Sequence, residues 1–197
     1  RPSLFLHSTN VANLASRIYI LFRSNEIDLE LIILGALLHD VGKLFLSREI
    51  IDKPGPLTEN EWKEMKRHAY LGAFLIADKG GNKPLTEMIR YHHERWDGKG
   101  YEGLEGEKMP LCARIIALAD ALDAMTSTRP YRLPLNLSDA FEEIHHGSGT
   151  QFDPQLVASL SQQPSWQTVT YRDPAKLARQ INQEKQWLNQ LINLPAI

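Results

Sequence analysis

Apolar residues recur at every third or fourth position through most of this chain, as in Leu6, Val11, Leu14, Ala15, Ile18 and Leu21, while strict alternation is rare. A chain patterned in this way buries its apolar surface on helix faces, so the expected fold is all-helical. A first helix is predicted from about Leu4 to Ser24, and Asp28 is placed to N-cap a buried helix that passes through Ile32 and Leu37 into His39-Asp40. Gly42 and Lys53-Pro54-Gly55-Pro56 mark an extended loop. Thr58 and Glu61 then form a capping box for a long helix carrying Met65, His68, Leu71 and Leu75, which Gly80-Gly81 stops. Pro84 begins a helix bearing Met88, Ile89, His92 and His93, a Gly-rich loop runs from Asp97 to Gly106, and Pro110 opens the most apolar helix, Leu111 to Met125. Ser138 and Asp153-Pro154 are predicted to start two shorter helices.

At 197 residues with 43% hydrophobic content, the chain can bury one core as a single domain. That domain is expected over residues 1–165, with residues 166–197 as a C-terminal extension. The extension holds a short extended piece, Trp166 to Tyr171. Its stretch from Asp173 to Leu194 gathers Leu177, Ile181, Trp187, Leu188 and Leu191 on one face, to pack on the domain or on a partner. The longest apolar run, Leu31 to Leu38, is far below the roughly 20 residues of a spanning helix. A lone Cys112 supports no disulfide framework, so a reducing, cytoplasmic location is expected. A net charge of -2 and a pI of about 6.4 exclude a protein that coats nucleic acid, so an anionic ligand must meet local positive charge. The chain opens on Arg1-Pro2-Ser3 without an initiating Met or a signal segment, which reads as a fragment with a regulatory domain upstream.

Histidine carries the chemical signal. His7, His39-Asp40, His68, His92-His93 and Asp120 lie on five separate predicted helices, which a bundle can converge on one centre. Imidazole nitrogen with carboxylate oxygen suits iron, manganese or related divalent ions better than a thiolate-selecting metal. A single histidine is more often a capping or hydrogen-bonded core residue than a ligand, whereas an adjacent pair in a helix points in two directions that one apolar core does not satisfy. His145-His146 precedes Gly147 in a polar segment, reads as a helix C-terminus where the dipole favours histidine, and is assigned no chemistry.

Together these residues amount to a resemblance. His39-Asp40-Val41-Gly42-Lys43 resembles the HD signature of the metal-dependent phosphohydrolase superfamily. The run His92-His93-Glu94-Arg95-Trp96-Asp97-Gly98-Lys99-Gly100-Tyr101 resembles the narrower HD-GYP signature. Lys53 to Thr58, Met65 to His68, Ala119 to Met125, Arg129-Pro130-Tyr131-Arg132 and Phe152-Asp153-Pro154 agree with the same family in the same order, from about His7 to Leu160. The resemblance implies an HD-type helical bundle with a metal centre in its core. It implies His7, His39, Asp40, His68, His92, His93 and Asp120 as ligands, with Asp40 bridging two divalent ions. Iron or manganese is the expected pair, with magnesium, nickel or zinc as substitutes.

The implied activity is hydrolysis of a cyclic dinucleotide, cyclic di-GMP foremost, to linear pGpG or GMP by a metal-activated water. Lys43 would neutralise charge at the phosphate, and Asp123, one helical turn beyond Asp120, would orient Lys43. Arg129 and Arg132 match phosphate-contacting positions, Arg95 and Lys99 add local charge, and Tyr101 either stacks on a base or packs the loop. Diguanylate cyclase domains and a second copy of the chain are the implied protein partners. Two departures stand out. Glu102 replaces the motif proline, and Ser3 occupies the place of a carboxylate that supports a third ion in some members, so a two-metal centre is expected. The alternatives are a cyclic di-GMP sensing or interaction module of weak or no turnover, which Glu102 favours, and an HD phosphohydrolase of another nucleotide phosphoester such as cyclic GMP-AMP.

Overall fold

The computed structural model describes residues 2–22, 27–127 and 133–161, and the regular elements among them are helical. The α-helices are α1 (Pro2–Phe22), α2 (Leu29–Leu38), α3 (Arg48–Ile51), α4 (Glu59–Asp78), α5 (Lys83–Tyr91), α6 (Leu111–Thr126), α7 (Leu137–His146) and α8 (Pro154–Ser161). Short 3-10 turns cover Val41–Phe45 and Gly106–Lys108. The expected extended piece and amphipathic stretch after Ser161, the side chain of Ser3, and Arg129 and Arg132 lie outside the described residues. No helix among the described residues is long and apolar enough to cross a membrane.

Local signals set most boundaries. The capping box opens α4 as expected, with the Thr58 N–H donating to Glu61 Oε2 at 2.7 Å and the Glu61 N–H to Thr58 Oγ1 at 3.4 Å. Asp28 takes the N-cap position of α2, but its side chain caps nothing. The start of α7 differs from expectation: Asn136, not Ser138, is the N-cap, its Oδ1 accepting the Asp139 N–H at 3.0 Å. Asparagine caps as well as serine, and it stands where the chain is still extended, which leaves Ser138 inside the first turn. At the other end of α7, His145 and His146 occupy the last turn before Gly147, as read from the sequence.

The most apolar helix, α6, is central. Cys112, Ile115, Ile116, Leu118, Ala119 and Leu122 are buried around its circumference, the signature of a helix surrounded by others. Helices α1 and α2 pack on each other and on α6, α4 pairs with α5, α8 rests on α1, and α7 rests on α6. The core so formed includes Val11, Ala15, Ile18, Ile32, Met88, Ile89, Ile144 and Leu156. Gly42 positions the site within this frame. A Cβ there would stand 1.9 Å from the carbonyl oxygen of His68 and 2.6 Å from the Gly72 nitrogen. Only a residue without a side chain lets the turn after α2 lie backbone to backbone against α4, and that approach brings Asp40 up to His68.

Candidate metal centre

The seven predicted ligand side chains come from the ends or inner faces of five helices: His7 from α1, His39 and Asp40 just past α2, His68 from α4, His92 and His93 just past α5, and Asp120 from α6. His39, His68 and His92 are each 1% exposed, so every polar atom they carry needs a partner inside the protein. One partner is local. His39 Nδ1 lies 2.7 Å from the Ala36 carbonyl, His68 Nδ1 2.6 Å from that of Met65, and His92 Nδ1 2.7 Å from that of Ile89, the same three-residue return in each helix. An Nδ1–H that donates to a carbonyl fixes the tautomer and leaves Nε2 as a lone pair pointing away from its own helix.

Those lone pairs meet around Asp40. Its Oδ1 lies 3.3 Å from His68 Nε2. Its Oδ2 lies 3.5 Å from His39 Nε2 and 3.6 Å from His7 Nε2. Donor atoms fall into two clusters in which all lie within 4.8 Å of one another: Asp40, His68, His92 and His93 in one, and His7, His39 and Asp40 in the other. Asp40 alone belongs to both. Asp120 stands beside the second cluster, its Oδ1 3.3 Å from His7 Nε2.

Burial and charge prepare these groups to bind a cation. Burial works against ionisation of Asp40, yet His39 and Lys43 beside it hold its carboxyl well below the usual range. Burial, helped by the positive charge of Lys43, keeps His68 below its ordinary value and, with the neighbouring imidazoles, holds His92 well below; burial brings His93 down to about 4. These three are therefore neutral at pH 7, the form that binds a metal. His7 behaves oppositely: burial is outweighed by Asp120 and Asp123, and its pKa rises to about 9.

The donor set fits a pair of divalent ions. His39 Nε2 and Asp40 Oδ1 are buried without a hydrogen bond, and His68 Nε2 faces His92 Nε2 at 3.3 Å. Opposed acceptor nitrogens beside an unpaired carboxylate oxygen are satisfied together by cations, and an imidazole and carboxylate set is that of iron, manganese or zinc chemistry.

Around this centre the predicted contacts divide. Lys43 Nζ donates to Asp40 Oδ2 at 2.6 Å, whereas Asp123 Oδ2 accepts from His7 Nδ1 at 2.8 Å and its Oδ1 accepts from Ser127 Oγ at 2.8 Å. Asp123 thus orients His7 and Lys43 pairs with Asp40, in place of the expected Asp123–Lys43 pairing; the other ring nitrogen of His7 faces Asp40 at 3.6 Å. Tyr101 packs its ring on His93 at 4.7 Å between centroids, with Lys66 Nζ 5.2 Å from the ring centre. Arg95 forms a two-bond clamp on Asp97 and lines a cavity of about 400 Å³ that also takes in His92, His93 and Asp120. Lys99, with a side chain 79% exposed, lines a different hollow beside Trp96 and Glu105.

The sequence reading gave no role to Glu94, which organises the whole Gly-rich loop. It is 2% exposed, and its two oxygens accept the N–H groups of Glu102 at 2.6 Å and Leu104 at 2.7 Å. A Cβ at Gly100 would come within 2.5 Å of Glu94 Cα, so glycine is required for the loop to fold over this carboxylate. Its place immediately after the histidine pair was the one sequence signal. Glu102 itself takes Arg90 Nε on both oxygens, at 2.8 and 3.0 Å.

Comparison with known proteins agrees with this geometry. A family model described as an HD domain matches residues 1–156. A cyclic di-GMP phosphodiesterase of Thermotoga maritima is 38% identical over 171 residues, covering 84% of this chain and 46% of its own length. A 3'3'-cGAMP-specific phosphodiesterase 3 of Vibrio cholerae is 39% identical over 127 residues, covering 64% of this chain and 28% of its own. The chain therefore spans less than half the length of these curated relatives. A solved structure of a cyclic GMP-AMP specific phosphodiesterase of V. cholerae shares the fold with a TM-score of 0.66 at 19% identity, over 96% of this chain and 49% of that one. By sequence and by fold, the chain belongs to the HD domain family, in its HD-GYP branch.

Proposed function

We propose that this chain hydrolyses a phosphodiester bond of a cyclic dinucleotide, with cyclic di-GMP as the leading substrate, pGpG or GMP as product, and iron or manganese as the native ions. One observation supports the reading: among the described residues two donor clusters share Asp40 alone, so this carboxylate would serve both ions. His68, His92 and His93 would hold one ion, and His7, His39 and Asp120 the other. Bound there, the pair supplies hydroxide near neutral pH and a Lewis acid for the phosphate oxygens. The protein contributes the rest. Carbonyls of Ala36, Met65 and Ile89 keep three imidazoles in the ligating tautomer. Lys43, its side chain 22% exposed beside Asp40, presents a cation to the charge that builds on the phosphate or the leaving oxygen. Arg95 at the cavity wall, and Arg129 and Arg132 by their place in the motif, supply further phosphate donors.

Names of the relatives support the substrate class, and Glu102, tied to Arg90, lines neither cavity beside the centre. The test is turnover of cyclic di-GMP by metal-loaded protein, with chromatography of the products, beside Asp40→Ala. Loss of the shared carboxylate is expected to lower kcat by at least about 10³-fold with the helical circular dichroism intact. A variant as active as the parent would refute the mechanism.

A further inference from the structure

Five imidazoles converge on the centre, and four of them have a hydrogen bond that sets the ring. His39, His68 and His92 lean on carbonyls three residues back, and His7 leans on Asp123. The ring of His93 has no hydrogen bond among the described residues, although it belongs to the same donor cluster as Asp40, His68 and His92. An imidazole without such a bond turns between two flipped orientations that exchange nitrogen for carbon, and only one of them offers nitrogen to an ion at a given point. Something else must hold His93.

What flanks it is aromatic. The Tyr101 ring lies 4.7 Å away between centroids at a tilt of 36°, the His92 ring 4.0 Å away at 43°, and the His68 ring meets it edge-on at 5.0 Å and 82°. At such separations ring pairs prefer definite mutual orientations, so packing can do for His93 what a carbonyl does for its neighbours. His92 and His68 are themselves fixed by carbonyls, and Tyr101 is the wall that the Gly-rich loop adds.

Tyr101 is held there by backbone. Its hydroxyl has no hydrogen bond among the described residues. The loop is closed at its base by the Gly106 N–H, which donates to the Trp96 carbonyl at 3.0 Å, and at its tip by Glu94, which takes the N–H groups of Glu102 and Leu104. A Cβ on Gly100 would stand 2.5 Å from Glu94 Cα and 2.8 Å from Glu94 Oε2, so the residue before Tyr101 is seated directly on Glu94. One buried carboxylate thus follows His93 in the chain and also anchors the ring packed on it.

We propose that Tyr101 is a positioning residue: its ring, anchored through Glu94, holds the His93 imidazole in the orientation that presents nitrogen to the ion shared with Asp40, His68 and His92. The proposal rests on the two-ion reading above. It gives Tyr101 a task in metal binding and none in contacting the substrate.

The experiment titrates manganese into metal-free protein and follows free Mn²⁺ by electron paramagnetic resonance, with circular dichroism to report folding. Tyr101→Ala should weaken one of two binding steps by about tenfold and leave the other within about twofold, whereas Tyr101→Phe, which keeps the ring, should change neither by more than about twofold. Glu94→Gln should weaken the same step and add nothing to Tyr101→Ala in the double variant, because both act through one ring. Should Tyr101→Ala fail to fold, Tyr101→Leu fills the space without a ring and carries the same expectation. Both steps unchanged in the ring-deleted variant, a Tyr101→Phe as weak as Tyr101→Ala, or additive effects of Glu94→Gln and Tyr101→Ala overturns the proposal. So does a raised KM for cyclic di-GMP at saturating manganese with both metal steps intact, which makes Tyr101 a substrate contact. Failure of the two-ion reading looks different: the parent itself binds fewer than two ions. Nuclear magnetic resonance of the histidine rings in metal-free protein then decides the positioning alone. Signals of His93 that broaden or move in Tyr101→Ala while those of His39, His68 and His92 hold support it, and an unmoved His93 overturns it.

Discussion

Asp123 and His7 show how one residue acts through another. Asp123 is 1% exposed, sits one turn beyond Asp120 on α6, and accepts the Nδ1–H of His7, so this hydrogen bond helps to hold the proposed α1 ligand at the second cluster. Asp123→Asn is expected to lower metal affinity by about 10- to 100-fold while leaving the helical content unchanged, measured by titration of manganese into metal-free protein. A drop in activity with unaltered affinity would place Asp123 elsewhere in the reaction. His7 also sets a pH dependence. In the metal-free protein its pKa is raised to about 9, so at neutral pH a proton occupies the nitrogen that would bind the ion. Metal uptake displaces that proton. Apparent affinity should therefore rise by up to about tenfold per pH unit between pH 7 and 9 and level off above, with proton release detectable in weakly buffered solution. Stability of the metal-free protein runs the other way. A pKa raised on folding gives stabilisation that is complete below about 6.5, the ordinary histidine value, and is lost as pH climbs through about 9.

At the scale of elements, the Gly-rich loop carries Glu102 where the resemblance leads one to expect proline, and the structure shows what this residue does. Glu102 uses its backbone N–H on buried Glu94 and its carboxylate on Arg90, whose guanidinium also lies over the rings of Tyr70 and Tyr91. A proline at this position has no N–H to give. Glu102→Pro, which restores the motif residue, should therefore destabilise this chain by about 1–3 kcal/mol through the unpaired carboxylate oxygen. Glu102→Gln, which keeps the N–H and loses only a partly exposed ion pair, should cost less than about 1 kcal/mol. Urea unfolding of the two variants separates the contributions, and equal stability of all three proteins would show that Glu94 finds another donor. The loop was legible in the sequence as a Gly-rich segment. Its organiser was not, because nothing in the spacing of Glu94 says which N–H groups, eight and ten residues on, fold back over it.

For the whole molecule, the proposed ligands come from five helices that are far apart in sequence, so ions held between them would cross-link the bundle. Binding to the folded state alone stabilises it by about 2.7 kcal/mol at a free concentration one hundred times Kd. Manganese or iron should thus raise the Tm by about 5–10 °C, and a chelator should reverse the shift. An unchanged Tm would mean that the imidazoles do not converge in solution. Helical periodicity, the capping box before α4 and the paired histidines were all readable along the chain, since each is set by residues within one or two turns of each other. Two readings differ from the structure, both by local alternatives: Asn136, two residues earlier, takes the cap of α7 from Ser138, and Lys43 pairs with Asp40, three residues before it, and not with Asp123. The sequence by itself determined the helices and the kind of donors, which short-range geometry and side-chain chemistry dictate. Only the tertiary structure decided that Asp40 is shared by two clusters, because that depends on how Gly42 lets one backbone lie against another.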